Sequence, residues 1–253
     1  MLPVVRLGPF LIQLSGLALL AGIWIGSDLV EREARRLRLN VAAVLNLIIY
    51  ALIGGLLGAR LLYALEHIHA YLASPLSLFA LSGSALDAWG GLFVGLLVAI
   101  LYGRSKSLPL RPTLDALAPG LAVFMIAFGL ANAFSGDGYG LPLDAPWAVN
   151  LWGANRHPTQ IYETLLAIAV LLAWRFVRRA SAQPGASFLL VVGLSAASRL
   201  FTEGFHADSA VTLGGLRLVQ VIALVVMAST LYLGRRWSST AARSSTHAET
   251  ATT

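Results

Sequence analysis

Arg156-His157-Pro158-Thr159-Gln160-Ile161-Tyr162-Glu163 is the most polar opening of any long apolar run in the chain, and apolar residues continue from it to about 177. Pro158 suits the start of a helix, because its fixed φ is helical and its missing N–H has no partner at that position anyway. A helix beginning there puts Gln160, Glu163 and Thr164 on one face, with His157 at its mouth. A carboxylate one turn inside a membrane helix is costly unless it is paired or faces a water-filled cavity, which makes Glu163 a candidate functional residue. The plainer alternative is a helix cap with an ordinary interfacial Tyr and His.

The same pattern of apolar runs with short polar connections recurs along all 253 residues. Hydrophobic residues make up 57% and charged residues 12%, with a mean hydropathy of +0.75. That is the composition of an all-α polytopic membrane protein and not of a soluble domain. Seven spans are expected, at about 9–28, 41–65, 88–103, 114–135, 159–177, 187–206 and 217–234. The third is the shortest and weakest, and the mixed stretch from Glu31 to Arg38 is expected to be an interfacial loop. No strongly basic segment precedes the first span, so it is expected to be a retained helix and not a signal peptide. The integral domain is taken as 1–236, and the Ser/Thr/Ala-rich residues 237–253 as a disordered cytoplasmic tail.

The net charge of +6 does not imply nucleic acid, because the basic residues are dispersed between apolar segments instead of gathered on one soluble face. They sort by side. Thirteen, among them Arg32, Arg35, Arg104, Lys106, Arg178, Arg235 and Arg236, fall on one face of a seven-span arrangement. Only Arg6, Arg156 and Arg217 fall on the other, and Arg60 and Arg199 lie within spans. The asymmetry predicts the amino terminus outside and the carboxyl terminus in the cytoplasm. Zero cysteines exclude disulfides, thiolate metal sites and an enzyme thiol nucleophile. No metal and no cofactor are expected, since His67 and His69 sit one residue apart in a loop without obvious partners. That loop, 66–87, has no Lys or Arg and is expected to lie along the outer surface.

With the orientation set, polar residues within the spans collect at one depth. Arg60 and Tyr63 end the second span, Asn132 and Asp137 end the fourth, His157, Gln160 and Glu163 open the fifth, and Arg199, Glu203 and His206 form one stripe at the end of the sixth. Buried arginine demands a partner, so pairs such as Arg199 with Glu203 or Arg60 with Glu163 are expected whether the role is structural or functional. The Gly136-Asp137-Gly138-Tyr139-Gly140 loop beside them allows close approach of a ligand. Arginines beside a polar cavity that opens to the outer leaflet describe a phospholipid-headgroup site. A proton-coupled transporter is the competing class, but it calls for polar groups across the midplane; here the inner halves of the spans are almost wholly Leu, Ala, Val and Ile. Asp115, at the inner end of the fourth span, reads as a helix N-terminal acid.

These residues carry a resemblance to the prolipoprotein diacylglyceryl transferase family. The chain is similar to it over most of 7–234, through Gly58-Ala59-Arg60-Leu61, Trp89-Gly90-Gly91-Leu92, Leu114-Asp115-Ala116-Leu117-Ala118-Pro119-Gly120, Gly136-Asp137-Gly138-Tyr139-Gly140, Pro146-Trp147-Ala148-Val149, the Arg156–Glu163 stretch and Arg199-Leu200-Phe201-Thr202-Glu203. The resemblance implies a multi-pass enzyme of the bacterial inner membrane. It would move the diacylglyceryl group of phosphatidylglycerol onto the lipobox cysteine of a prolipoprotein and release glycerol phosphate. Its partners would be that lipid and the prolipoprotein signal segment, with the chain itself a monomer. By the same likeness Asn132, Gly140, Arg199 and Glu203 stand at functional positions, and Asp137 where the family usually has Glu. Departures follow as well: Trp89 stands for the family's His, Gly129 for an Arg, Ala131 for a Gly, Ser15 for a Tyr and His206 for an Arg. A rebuilt site would then use His157 or His206 as base, with Arg60, Arg156 or Arg199 on the phosphate and Gln160, Tyr162 and Glu163 contributing to binding. A non-catalytic lipid-binding relative and a transferase with another acceptor are the alternatives.

Overall fold

The computed structural model describes residues 4–7, 10–69, 86–180, 183–207 and 217–250. Most of the loop 66–87 therefore lies outside the described residues. Among the described residues, seven helices are long and apolar enough to cross a membrane: α1 (Leu14–Arg36), α2 (Val41–Glu66), α3 (Ala88–Ser105), α4 (Leu110–Ser135), α5 (Thr159–Ala180), α6 (Ala186–Glu203) and α7 (Leu218–Thr250). The protein is a helical polytopic membrane protein, as its composition predicts. The spanning part of α7 is Leu218–Ser238, and its helical assignment continues across most of the stretch expected to form a tail. Two antiparallel hairpins are added to the helices: β1 (Val4–Leu7) with β2 (Phe10–Gln13), and β3 (Val149–Leu151) with β4 (Ala154–Arg156).

The first span departs from expectation at both ends. Residues 10–13 are strand, where β-branched and aromatic residues flank the helix-breaking Gly8-Pro9. The charged stretch after residue 30 is not a loop but the last turns of α1. Asp28 and Arg32 pair across one turn at 2.8 Å, and Glu33 is buried and bound to Arg178 of α5 at 3.0 Å. Arg35 and Arg36 sit at the negative end of the helix dipole. The helix ends at Arg36, and Arg38, with φ of 57°, turns the chain out of the repeat.

The chain divides into two units, Ala34–Thr113 and the remainder, Met1–Glu33 with Leu114–Thr253. In the first, α2 and α3 pack through small residues spaced by four: a Cβ on Gly55 would lie 3.1 Å from the carbonyl of Gly91, and one on Gly95 3.0 Å from that of Ala51. Asp87 caps α3, its carboxylate accepting from the N–H groups of Trp89 (3.3 Å) and Gly90 (2.7 Å). Arg60 lies half-buried on α2 in this unit, and Trp89 is exposed at the start of α3.

In the second unit, α1 meets α4 where Gly26 faces Gly120. Ala118, Ala122, Val170, Trp174 and Val191 of α4, α5 and α6 form a packed core. Asp115 acts at a helix N-terminus, though not its own. Its carboxylate accepts from the N–H groups of Gly185 and, at 2.9 Å, Phe188, where α6 opens with no side-chain cap of its own. Gly185 leads into that turn with φ of 95°.

Candidate functional site

At the other end of α4 and α6, the Gly136–Gly140 loop is held by every one of its carbonyls. Trp152 Nε1 donates to Gly136 O (3.0 Å), Gln160 Nε2 to Asp137 O (2.9 Å), Thr159 Oγ1 to Gly138 O (2.6 Å), the Ala207 N–H to Tyr139 O (3.1 Å) and Arg156 Nη1 to Gly140 O (3.3 Å). Gly138 has φ of 62°, a conformation that glycine adopts without cost. A Cβ there would lie 3.5 Å from Asn132 Nδ2 and 3.9 Å from His206 Nε2. Gly140 lacks room instead, since a Cβ would run into the backbone of His157.

The polar cluster beside this loop is centred on Arg199. Its guanidinium is ion-paired with Glu163 of α5 and, at 3.1 Å, with Glu203 one turn further along α6. His206 is buried just past the helix end. Its Nδ1 faces the carbonyl of Thr202 at 3.0 Å, an acceptor, so that nitrogen carries a proton and Nε2 is the acceptor nitrogen of the neutral ring. Nε2 stands 3.4 Å from both Arg199 Nη1 and the Glu163 carboxylate. Glu203 is fully buried, and among the described residues its oxygens have the Arg199 ion pair but no hydrogen bond of good geometry.

Asn132, Glu163, Arg199 and His206 line one cavity of about 600 Å³. Its remaining length is mostly apolar, walled by Leu121, Phe124, Met125 and Phe128 of α4 and by Ala167 and Val170 of α5, with the serines Ser195 and Ser198 of α6. Leu121 and Asn132 are eleven residues apart, so the cavity runs about 16 Å along α4 from its polar end. It has an amphiphile's outline, with charged and hydrogen-bonding groups at one end and an apolar slot behind them.

The structure thus gathers part of the set predicted from sequence. Asn132, Asp137, Glu163, Arg199 and His206 meet at the cavity, and Glu203 supports Arg199 from behind. Arg156, His157, Gln160 and Tyr162 are not among its lining residues. Arg156 and Gln160 hold loop carbonyls, and Arg156 also stacks on Tyr139, 4.8 Å from the ring centre. His157 packs against Tyr162 and Phe205, and its Nδ1 is buried without a hydrogen bond. Glu163 takes Arg199 as its partner. Arg217, read from sequence only as a topology signal, donates to the carbonyls of Glu203 and, at 2.8 Å, His206. It ties the start of α7 to the polar cluster, a contact whose only sequence signal is an arginine opening an apolar run.

Gly129 stands where the resemblance implies an arginine. Its α-carbon faces Thr164 of α5 so closely that a Cβ would meet that residue's hydroxyl and backbone. An arginine at 129 has no room where these two helices pack.

Fold and cavity together define a polytopic membrane protein with a cavity whose charged groups gather at one end. The chain belongs to the prolipoprotein diacylglyceryl transferase family, a transferase family whose model matches residues 3–234. Relatives named phosphatidylglycerol–prolipoprotein diacylglyceryl transferase include proteins of Synechococcus elongatus (28% identical, covering 89% of this chain and 83% of the relative). Those of Clostridioides difficile (27%; 83% and 84%) and Gloeobacter violaceus (29%; 87% and 87%) are similar to it in the same way.

Proposed function

We propose that the protein transfers the diacylglyceryl group of phosphatidylglycerol to the lipobox cysteine of a prolipoprotein, at the outer leaflet of the bacterial inner membrane. The observation that carries this reading is the cavity with Arg199, Glu163 and His206 at the polar end of an apolar slot. In the reaction the substrate thiol's sulfur attacks the glyceryl carbon that bears the phosphate. The S–C bond forms as the C–O bond breaks, and glycerol phosphate leaves. A free thiol has a pKa of about 8.5, so the step needs a base and a cation for the charge that grows on the leaving phosphate. His206 Nε2 is assigned the thiol proton, since its lone pair is kept available by the Nδ1 contact with Thr202. Arg199 is assigned the phosphate, Glu163 and Glu203 hold the guanidinium, and Asn132 with the Gly138 backbone forms the adjoining wall.

A second reading, a relative that binds phospholipid without turnover, draws on the closed packing at Gly129 and on an Arg199 already engaged by two carboxylates. The two readings separate in one assay with purified protein in detergent, phosphatidylglycerol and a lipobox peptide, following glycerol phosphate and the peptide's mass. The transferase forms both products and loses them in Arg199→Ala. Folded protein that binds phosphatidylglycerol and yields neither product is the binding relative.

A further inference from the structure

Hydroxyls in the spans commonly satisfy themselves within their own helix, as where Thr164 donates to Gln160 O (2.7 Å), Ser198 to Leu194 O (2.8 Å), Ser229 to Val225 O (2.7 Å) and Thr230 to Met227 O (2.8 Å). This is the usual resort of serine and threonine in a membrane helix, where no water offers an alternative. Ser195 does not do so. It is 8% exposed, lines the cavity, and its Oγ is covered and makes no hydrogen bond among the described residues. A donor left idle in an apolar wall is a standing cost, and in a native structure it calls for an acceptor that arrives from elsewhere.

The position of Ser195 says what that acceptor is. It stands four residues before Arg199 on α6, about 6 Å further along the helix axis, and shares the cavity lining with Met125, Ala167 and Val170. An amphiphile with its phosphate at Arg199 and its chains in the slot passes Ser195 with the segment between head and chains. In a diacyl glycerophospholipid that segment carries ester carbonyls, which are pure acceptors. Accepting the proposed transferase reading, we infer that Ser195 is a specificity-determining residue that donates a hydrogen bond to an acyl ester carbonyl of the lipid. A rotation about χ1, between staggered positions open to a serine, brings the hydroxyl to the cavity surface. The contact falls on the group that is transferred and not on the one that leaves, so it is kept from bound substrate to lipidated product. It selects ester-linked over ether-linked lipids, because an ether oxygen is a poorer acceptor and lies off the carbonyl position.

The test compares phosphatidylglycerol bearing ester-linked chains with its dialkyl ether analogue of equal chain length, in wild type and Ser195→Ala, by detergent-micelle binding and by peptide lipidation. Wild type is expected to favour the ester lipid by roughly tenfold in KM, the scale of one hydrogen bond. Ser195→Ala brings the ester lipid to the ether lipid's KM and leaves kcat within a few-fold. Its thermal stability without lipid stays equal to or above wild type, since the change removes an unsatisfied group. Equal use of both lipids by wild type, or an equal loss on both in Ser195→Ala, overturns the role of Ser195 while leaving the transferase reading intact. Binding of neither lipid by folded wild type overturns the reading of the cavity, and the inference with it.

Discussion

His206 illustrates how one side chain's neighbours select its chemistry. The Thr202 carbonyl takes Nδ1, so the ring presents Nε2 to Arg199 and Glu163. With His206 as base, His206→Gln lowers kcat on the order of a hundredfold, the usual contribution of a positioned general base, while KM for phosphatidylglycerol changes little. Steady-state kinetics with an unchanged kcat would remove His206 from the mechanism. Arg217 acts on the same ring from a distance, by holding the carbonyls of Glu203 and His206. Arg217→Met is expected to reduce kcat about tenfold, the equivalent of one or two ordinary hydrogen bonds, and Arg217→Lys to restore part of it. A lysine variant as impaired as the methionine variant would argue against carbonyl anchoring. Arg199 and Glu203 are legible as one stripe, because residues four apart share a helix face; His206, expected on the same helix, lies beyond its end and reaches them through the turn after Glu203. The idle hydroxyl of Ser195 is not legible, since its spacing is that of any serine in an apolar helix.

Between helices, the decisive contacts are those where backbones come close. Gly129 against Thr164 brings α4 and α5 together beneath the polar cluster. Gly129→Val is expected to destabilise the protein by about 1–3 kcal/mol through overpacking, read as a lower unfolding temperature in detergent. Gly16→Ala serves as the control, because its Cβ would meet open space. At the opposite end of the bundle, α1 is tied to α5 by Glu33 and Arg178. Glu33→Ala leaves Arg178 without this buried partner and is expected to cost about 3 kcal/mol; a thermal shift near zero would show the pair to be dispensable. Sequence reading took the residues around Glu33 for a loop because their charges interrupt the hydropathy. The helix continues there because the one charge that turns inward finds a counter-charge more than a hundred residues away, and no local window contains that information.

For the molecule in the membrane, the sorting of basic residues predicts an outside amino terminus and a cytoplasmic carboxyl terminus. The absence of cysteine makes this directly testable, since the native chain is already a labelling background. In right-side-out cells, a membrane-impermeant maleimide is expected to react with Asp144→Cys and not with Ser107→Cys; the reverse pattern would invert the topology. The number of spans and the helical class follow from composition and periodicity, because a bilayer admits few ways to satisfy a backbone. The roles within 156–163 do not follow. Arg156, His157, Gln160 and Glu163 look alike in a sequence, as polar residues at the mouth of a span. In the structure one of the four reaches the cavity, two hold the carbonyls of the Gly136–Gly140 loop, and one packs among aromatic rings. Helical periodicity assigns a residue to a face and a depth, but its partner is set by which other segment folds against that face.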